Sequence, residues 1–159
     1  MIAVGERLPS ANLVKVTPQG PEAVDSHAFF AGRRVALFAV PGAFTPTCSA
    51  QHLPSFLNRA DELRAKGVDE IACTAVNDAF VLDAWAKSTD ARGVTMLADG
   101  NGHFAEALGL DADVSKFGMG KRSRRYAMLV NDGIVEQVHV EAPGEFRVSS
   151  ADHLLANMA

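Results

Sequence analysis

A chain of 159 residues, 48% hydrophobic and 21% charged, has the make-up of one soluble globular domain over residues 1–159, long enough to bury a sizeable core. Its net charge of −4 argues against nucleic acid, a membrane surface or another polyanion as partner, and no run approaches the ~18 apolar residues of a membrane span. Two cysteines, Cys48 and Cys73, make no disulfide framework, and they and the five scattered His lack metal-ligand spacing, so neither metal nor bound cofactor is expected.

Residues 1–7 show no basic stretch followed by an apolar core, so a cytoplasmic location is expected. Leu13-Val14-Lys15-Val16 predicts a short first strand, ended by the turn residues Thr17-Pro18-Gln19-Gly20-Pro21. Asp25-Ser26-His27 starts one helical turn over Phe29 and Phe30, stopped by Gly32. The apolar run over residues 35–40 reads as a buried strand. A helix over 46–66 follows, with Gly67 as its stop and Pro54 inside it, which predicts a distortion near Ala50 and Gln51.

Residues 71–76 give a second buried strand. Asn77 or Asp78 then caps a helix with Phe80, Val81, Ala84 and Trp85 on its apolar face. Residues 95–98 form a third short strand, followed by a turn at 99–102 and a helix to Leu108, with Gly109 past its end. Two strands, 123–130 and 134–140, flank Asp132-Gly133, a hairpin signal. A helix over 152–158, with Leu154 and Leu155 inward, closes the chain. Strands alternating with helices and ending in a hairpin predict an α/β domain with a central mixed sheet flanked by helices.

The stretch Pro41-Gly42-Ala43-Phe44-Thr45-Pro46-Thr47-Cys48 joins the first buried strand to the long helix. Thr45 stands at the helix cap and Pro46 at the first helical position, where its missing N–H costs nothing. Cys48 therefore falls in the first turn, beside uncommitted backbone N–H groups and the positive end of the helix dipole. A sulfur there is easier to ionise, and the thiolate is the nucleophile. A small core hydrophobe is the plainer role for a lone cysteine.

This stretch resembles the peroxidatic motif of the peroxiredoxins, in the form of their type-II, peroxiredoxin-5-like subfamily. The likeness extends to His52-Leu53-Pro54, Val76-Asn77-Asp78-Ala79-Phe80, Leu97-Ala98-Asp99 and Arg125-Tyr126-Ala127-Met128, and so covers nearly the whole chain. It implies a thioredoxin-like fold, a thiol-dependent peroxidase, and a homodimer in which the Phe44–Thr45 loop and the region from Phe80 to Trp85 approach a partner. It also implies an essential Arg at the start of the hairpin's first strand, where Arg125 stands. Arg125 would favour the Cys48 thiolate and polarise the peroxide. Arg124 is its rival, since strand alternation points only one of the two at the pocket.

Peroxide reduction needs an ionised sulfur, donors aimed at the breaking O–O bond and a shell that restricts water. Thr45, three residues before Cys48, can turn its hydroxyl to the sulfur and hold the peroxide while still capping the helix. Pro41 has no N–H and would wall the pocket without a competing donor. His52, four residues after Cys48, shares a helix face with it, but no third group that would orient a Cys–His dyad is identifiable. Cys73, mid-strand among apolar residues, reads as an inert core thiol.

Family members that resolve the sulfenate internally carry a second Cys near the chain end. Here the matching region, 141–150, has Ser149 and no thiol. A one-cysteine mechanism with an external reductant, glutathione with glutaredoxin or thioredoxin, is expected. A thioredoxin-like disulfide oxidoreductase lacks its partner thiol, because Thr45 occupies the first position of the would-be C-x-x-C. A non-enzymatic interaction module would leave Cys48 an ordinary thiol, slow towards peroxide.

Overall fold

The computed structural model describes residues 1–158. Its frame is a seven-stranded mixed sheet in the order β2-β1-β5-β4-β3-β8-β9. These strands are β1 (Asn12–Thr17), β2 (Gly20–Asp25), β3 (Arg34–Ala39), β4 (Glu70–Ala75), β5 (Thr95–Ala98), β8 (Tyr126–Asn131) and β9 (Ile134–Val140). The central strands β3, β4 and β5 run parallel, and the outer pairings are antiparallel. Residues 35–40, 71–73 and 126–130 are buried throughout, as expected of strands covered on both faces.

Strand alternation divides the core into two layers. Ala36, Phe38, Val40 and Cys73 point to the layer holding Cys48, Leu53, Phe56, Leu82, Trp85 and Leu154. Val35, Leu37, Ala39, Tyr126 and Met128 point to the other, with Phe29, Phe30, Phe104 and Leu108. The helices α1 (Ser26–Phe30), α4 (Ala79–Ser88), α5 (His103–Leu108) and α6 (Ala151–Ala156) supply the flanking side chains. Asp25 caps α1, and Asp78 caps α4 by accepting from the Val81 N–H. The predicted hairpin turn is present, with both Asp132 (φ 49°) and Gly133 (φ 78°) in the left-handed region.

The long helix starts at Pro46 and carries the distortion that Pro54 predicts. Residues Cys48–His52 form a π-helical turn, followed by α2 (Leu53–Asn58) and, past a break at Arg59, α3 (Ala60–Ala65). Pro54 cannot donate to the carbonyl four residues back, and a wider turn absorbs that missing bond.

Three features differ from the sequence expectations. The turn at 17–21 opens into β2, an edge strand with no buried residue and no apolar alternation; an edge also tolerates Pro21. The predicted strand over 123–130 divides: β7 (Lys121–Ser123) pairs with β6 (Asp111–Asp113) in a separate ribbon, and the chain turns at Arg124 and Arg125 before β8. On α4 the inward residues are Ala79, Leu82 and Trp85, while Phe80 is 74% exposed.

Candidate active site

The loop that leaves β3 is held from two sides. The Asn77 side-chain carbonyl accepts from the Ala43 N–H (2.9 Å), and Phe44 takes a left-handed backbone (φ 66°), a conformation a bulky side chain rarely adopts. Gly42 is closely packed: a Cβ there would stand 3.2 Å from the Arg122 Nη1 and 3.3 Å from the Thr45 Cγ2, so those side chains would have to give by a few tenths of an ångström. The Thr45 carbonyl accepts from the Ser49 N–H (3.0 Å), which starts the helix at the expected place. Ser49 in turn accepts from the buried Trp85 indole (3.0 Å), tying that helix to α4.

Cys48 is fully buried, and its sulfur meets two donors. The Thr45 hydroxyl lies 2.8 Å from Sγ and 2.7 Å from the Gly42 carbonyl. It has one proton, so it can serve one of the two acceptors at a time, and a thiolate would be a stronger acceptor than a thiol. It is not spent on a helix N–H, the role the sequence also allowed. From the other side Arg125 Nη2 donates to Sγ at 3.1 Å. A thiolate is the form that accepts from both groups.

His52 joins this set through the arginine. Arg125 Nη1 donates to His52 Nδ1 (2.9 Å), and His52 Nε2–H donates to the Ser149 carbonyl (2.8 Å). A carbonyl can only accept, which fixes the proton on Nε2. The ring is fully buried among Phe38, Phe56 and Phe146. Burial, with the nearby Arg125 charge, pushes His52 down to about 3, so it is neutral wherever the protein works. The spacing of His52 to Cys48 was visible in the sequence, and the resemblance pointed Arg125 at Cys48; the bond from Arg125 to His52, 73 residues apart, was not visible.

Arg124 and Arg125 both line one cavity of about 360 Å³, because the corner between β7 and β8 breaks the alternation that would have separated them. Pro41 and Thr47 also line it, Thr45 and Cys48 do not, and Val114, Phe117, Ala142 and Pro143 supply apolar wall. Arg124 donates to the Glu141 carbonyl at 3.1 Å, leaving Arg125 to face the sulfur. A larger groove, about 850 Å³ between the Thr17–Pro21 turn and α4, includes none of Thr45, Cys48 and Arg125. Cys73 is the second free thiol, on β4 in the same core layer as Cys48; burial, then the neighbouring Cys48, pushes it well up.

The family profile described as Redoxin matches residues 3–155. The chain belongs to the redoxin family, and within it to the type-II peroxiredoxins. It is 51% identical to peroxiredoxin-2E-2, chloroplastic, of Oryza sativa subsp. japonica, over 97% of this chain and 71% of that protein. Peroxiredoxin-2C of the same plant is 47% identical, over 97% of this chain and 96% of that one. The crystal structure of reduced Prx3 in complex with H2O2 from Vibrio vulnificus superposes with a TM-score of 0.96 at 50% identity, over all of both chains. This peroxiredoxin is thus a thiol-dependent peroxidase with a thioredoxin fold, acting on peroxide at the expense of a thiol. No helix among the described residues is long and apolar enough to cross a membrane.

The buried histidine gives the peroxiredoxin a pH signature. Unfolded, His52 takes up a proton near 6.5; folded, it holds out until about 3. The unfolded chain therefore binds more protons in that window, and stability is lost as pH falls from about 6.5. Glu141, whose folded carboxyl lies below its usual 4.5, adds its own loss only at lower pH. His139 is also lowered, by burial and by His153, but from a half-buried site. Thermal midpoints measured from pH 6.5 to 4.5 should decline in the wild type, flatten markedly in His52→Asn and change little in His139→Asn. An unchanged slope in His52→Asn contradicts the buried, neutral ring.

Proposed function

We propose that Cys48 is the peroxidatic residue, with Thr45 and Arg125 as the groups that hold and polarise the peroxide and Pro41 as pocket wall. The observation that carries this reading is the convergence of a hydroxyl (2.8 Å) and a guanidinium (3.1 Å) on one buried sulfur. The thiolate attacks one oxygen of a hydroperoxide, an S–O bond forms and the O–O bond breaks. The sulfur loses two electrons and becomes a sulfenic acid, and the departing oxygen takes a proton and leaves as water or alcohol. Hydrogen peroxide and alkyl hydroperoxides are the proposed substrates. Hydrogen peroxide is supported by the Vibrio vulnificus complex, and alkyl groups by the apolar wall of the cavity.

We further propose a one-cysteine cycle. Ser149 takes the place of a second thiol, and Cys73 is fixed mid-strand, paired with Phe38 and Met96 on either side. An external thiol, glutathione with glutaredoxin or thioredoxin, then condenses with the sulfenate, releases water, and a second thiol frees Cys48. No resident cofactor is needed, since the electrons arrive as thiols. A cycle that consumes thiols suits a reducing compartment, which supports a cytoplasmic location. Exposed Phe44 (54%) and Phe80 (74%) support a homodimer, while Trp85 is buried within the chain.

One equivalent of hydrogen peroxide should give a sulfenic acid on Cys48 that a dimedone-type probe traps, with no intramolecular disulfide by intact mass. Added glutathione should then form a mixed disulfide at Cys48. A Cys48–Cys73 disulfide as the main product rules out the one-cysteine cycle, and a dimer absent in sedimentation at micromolar concentration removes the homodimer.

A further inference from the structure

A buried carboxylate lies at the edge of the same cavity and makes no hydrogen bond to the sulfur. Glu141 is 3% exposed and follows directly on β9. Its oxygens accept from the backbone N–H groups of Arg147 (2.9 and 2.8 Å), Val148 (2.8 Å) and Ser149 (2.8 Å), and from the Ser149 hydroxyl (2.6 Å). Burial pushes this carboxyl up, but the Ser149 hydroxyl and the three N–H groups outweigh it and hold the group ionised. One side chain thus folds residues 141–149 into a closed loop.

The far end of that loop is the carbonyl that fixes the histidine. Ser149 accepts from His52 Nε2–H, His52 Nδ1 accepts from Arg125 Nη1–H, and the second arm of the same guanidinium reaches Sγ. Among the described residues Arg125 has no carboxylate within ion-pair distance, so His52 and Cys48 are the side chains that set its direction. The backbone of Glu141 also donates to the Arg125 carbonyl at 2.9 Å. The same residue is therefore tied to Arg125 twice, through the main chain directly and through the loop to the side chain.

We propose that Glu141 is a positioning residue for peroxide reduction: by latching the 141–149 loop it seats the Ser149 carbonyl on His52, and His52 in turn aims Arg125 at Cys48. The proposal rests on Cys48 as the reacting atom. Its specific content is that Glu141 acts only through the arginine. Glutamine at 141 keeps the shape but loses the charge that gathers these donors and sets an amide N–H₂ against the Arg147 N–H, so the loop end shifts and the ring loses its fixed acceptor.

The test is a double-mutant cycle on the single-turnover rate of Cys48 oxidation by hydrogen peroxide, with the ring nitrogens of His52 read by ¹⁵N NMR. Glu141→Gln is expected to slow oxidation about tenfold with arginine at 125 and to have almost no further effect in the Arg125→Met background. The wild-type ring should show a single Nε2–H tautomer, and the variant a mixture. Equal losses in both backgrounds, or a wild-type rate and tautomer in Glu141→Gln, overturn the proposal. Should Glu141→Gln fail to fold, Glu141→Asp enters the same cycle; it keeps the charge and draws it back by one methylene, with the same criteria. The NMR arm does not depend on turnover. A wild-type protein inert to peroxide but with the fixed tautomer therefore sinks the peroxidase assignment of Cys48 and not the latch.

Discussion

Cys48→Ser is expected to abolish peroxide reduction, while Cys73→Ser keeps a rate close to wild type. The two thiols share a core layer and both are fully buried, so burial alone does not distinguish them. Their donors do. Cys48 receives a hydroxyl and a guanidinium, whereas Cys73 lies between Phe38 and Met96 in the sheet, and its thiol is pushed up by desolvation and by Cys48. An anion on Cys73 would be a buried charge without a hydrogen-bonded partner, which proteins avoid by keeping the group protonated. A serine hydroxyl at 73 costs about 1–3 kcal/mol if it finds no acceptor, so the assay belongs well below that variant's melting temperature. Stopped-flow oxidation of the two variants decides the matter, and equal losses in both refute the assignment of Cys48.

The second large effect is expected at Arg125. Arg125→Met should lower the second-order rate with hydrogen peroxide by about 10²–10³-fold, the scale of removing one pre-set donor from a site where negative charge develops. The guanidinium faces the sulfur with one arm and His52 with the other, and in the proposed reaction that places a fixed positive charge beside the thiolate. Arg125→Lys should recover only part of the rate. A lysine brings the charge but not the planar fork that reaches Sγ and Nδ1 at once. Arg124→Met is the control: its guanidinium lines the cavity but donates to the Glu141 carbonyl, and a loss as large as that at Arg125 would reassign the essential cation.

Much of the site was legible because it is local. A proline at the first helical turn, a threonine three residues before the cysteine and a proline closing the preceding strand are neighbours in the chain, and their geometry follows from helix and turn stereochemistry. A distortion before Pro54 was legible for the same reason, since a missing N–H must disturb the bond four residues back; that it takes the form of a π-helical turn was not. The match to peroxiredoxin motifs supplied Arg125, which local rules could not separate from Arg124.

The sequence by itself determined where the candidate cysteine sits, that residues 141–150 hold no second thiol, and the alternation of buried strands and helices. Only the tertiary structure decided what surrounds the sulfur. The short β6–β7 ribbon and the corner at 124–125 carry too few apolar residues to leave a periodic signal, yet they turn both arginines to one cavity. The links from His52 to Arg125 and from Ser149 to His52 span 73 and 97 residues. Hydrogen bonds of that reach depend on how the sheet registers β8 beside β3 and returns the last loop over the helix, and no spacing rule along the chain encodes them.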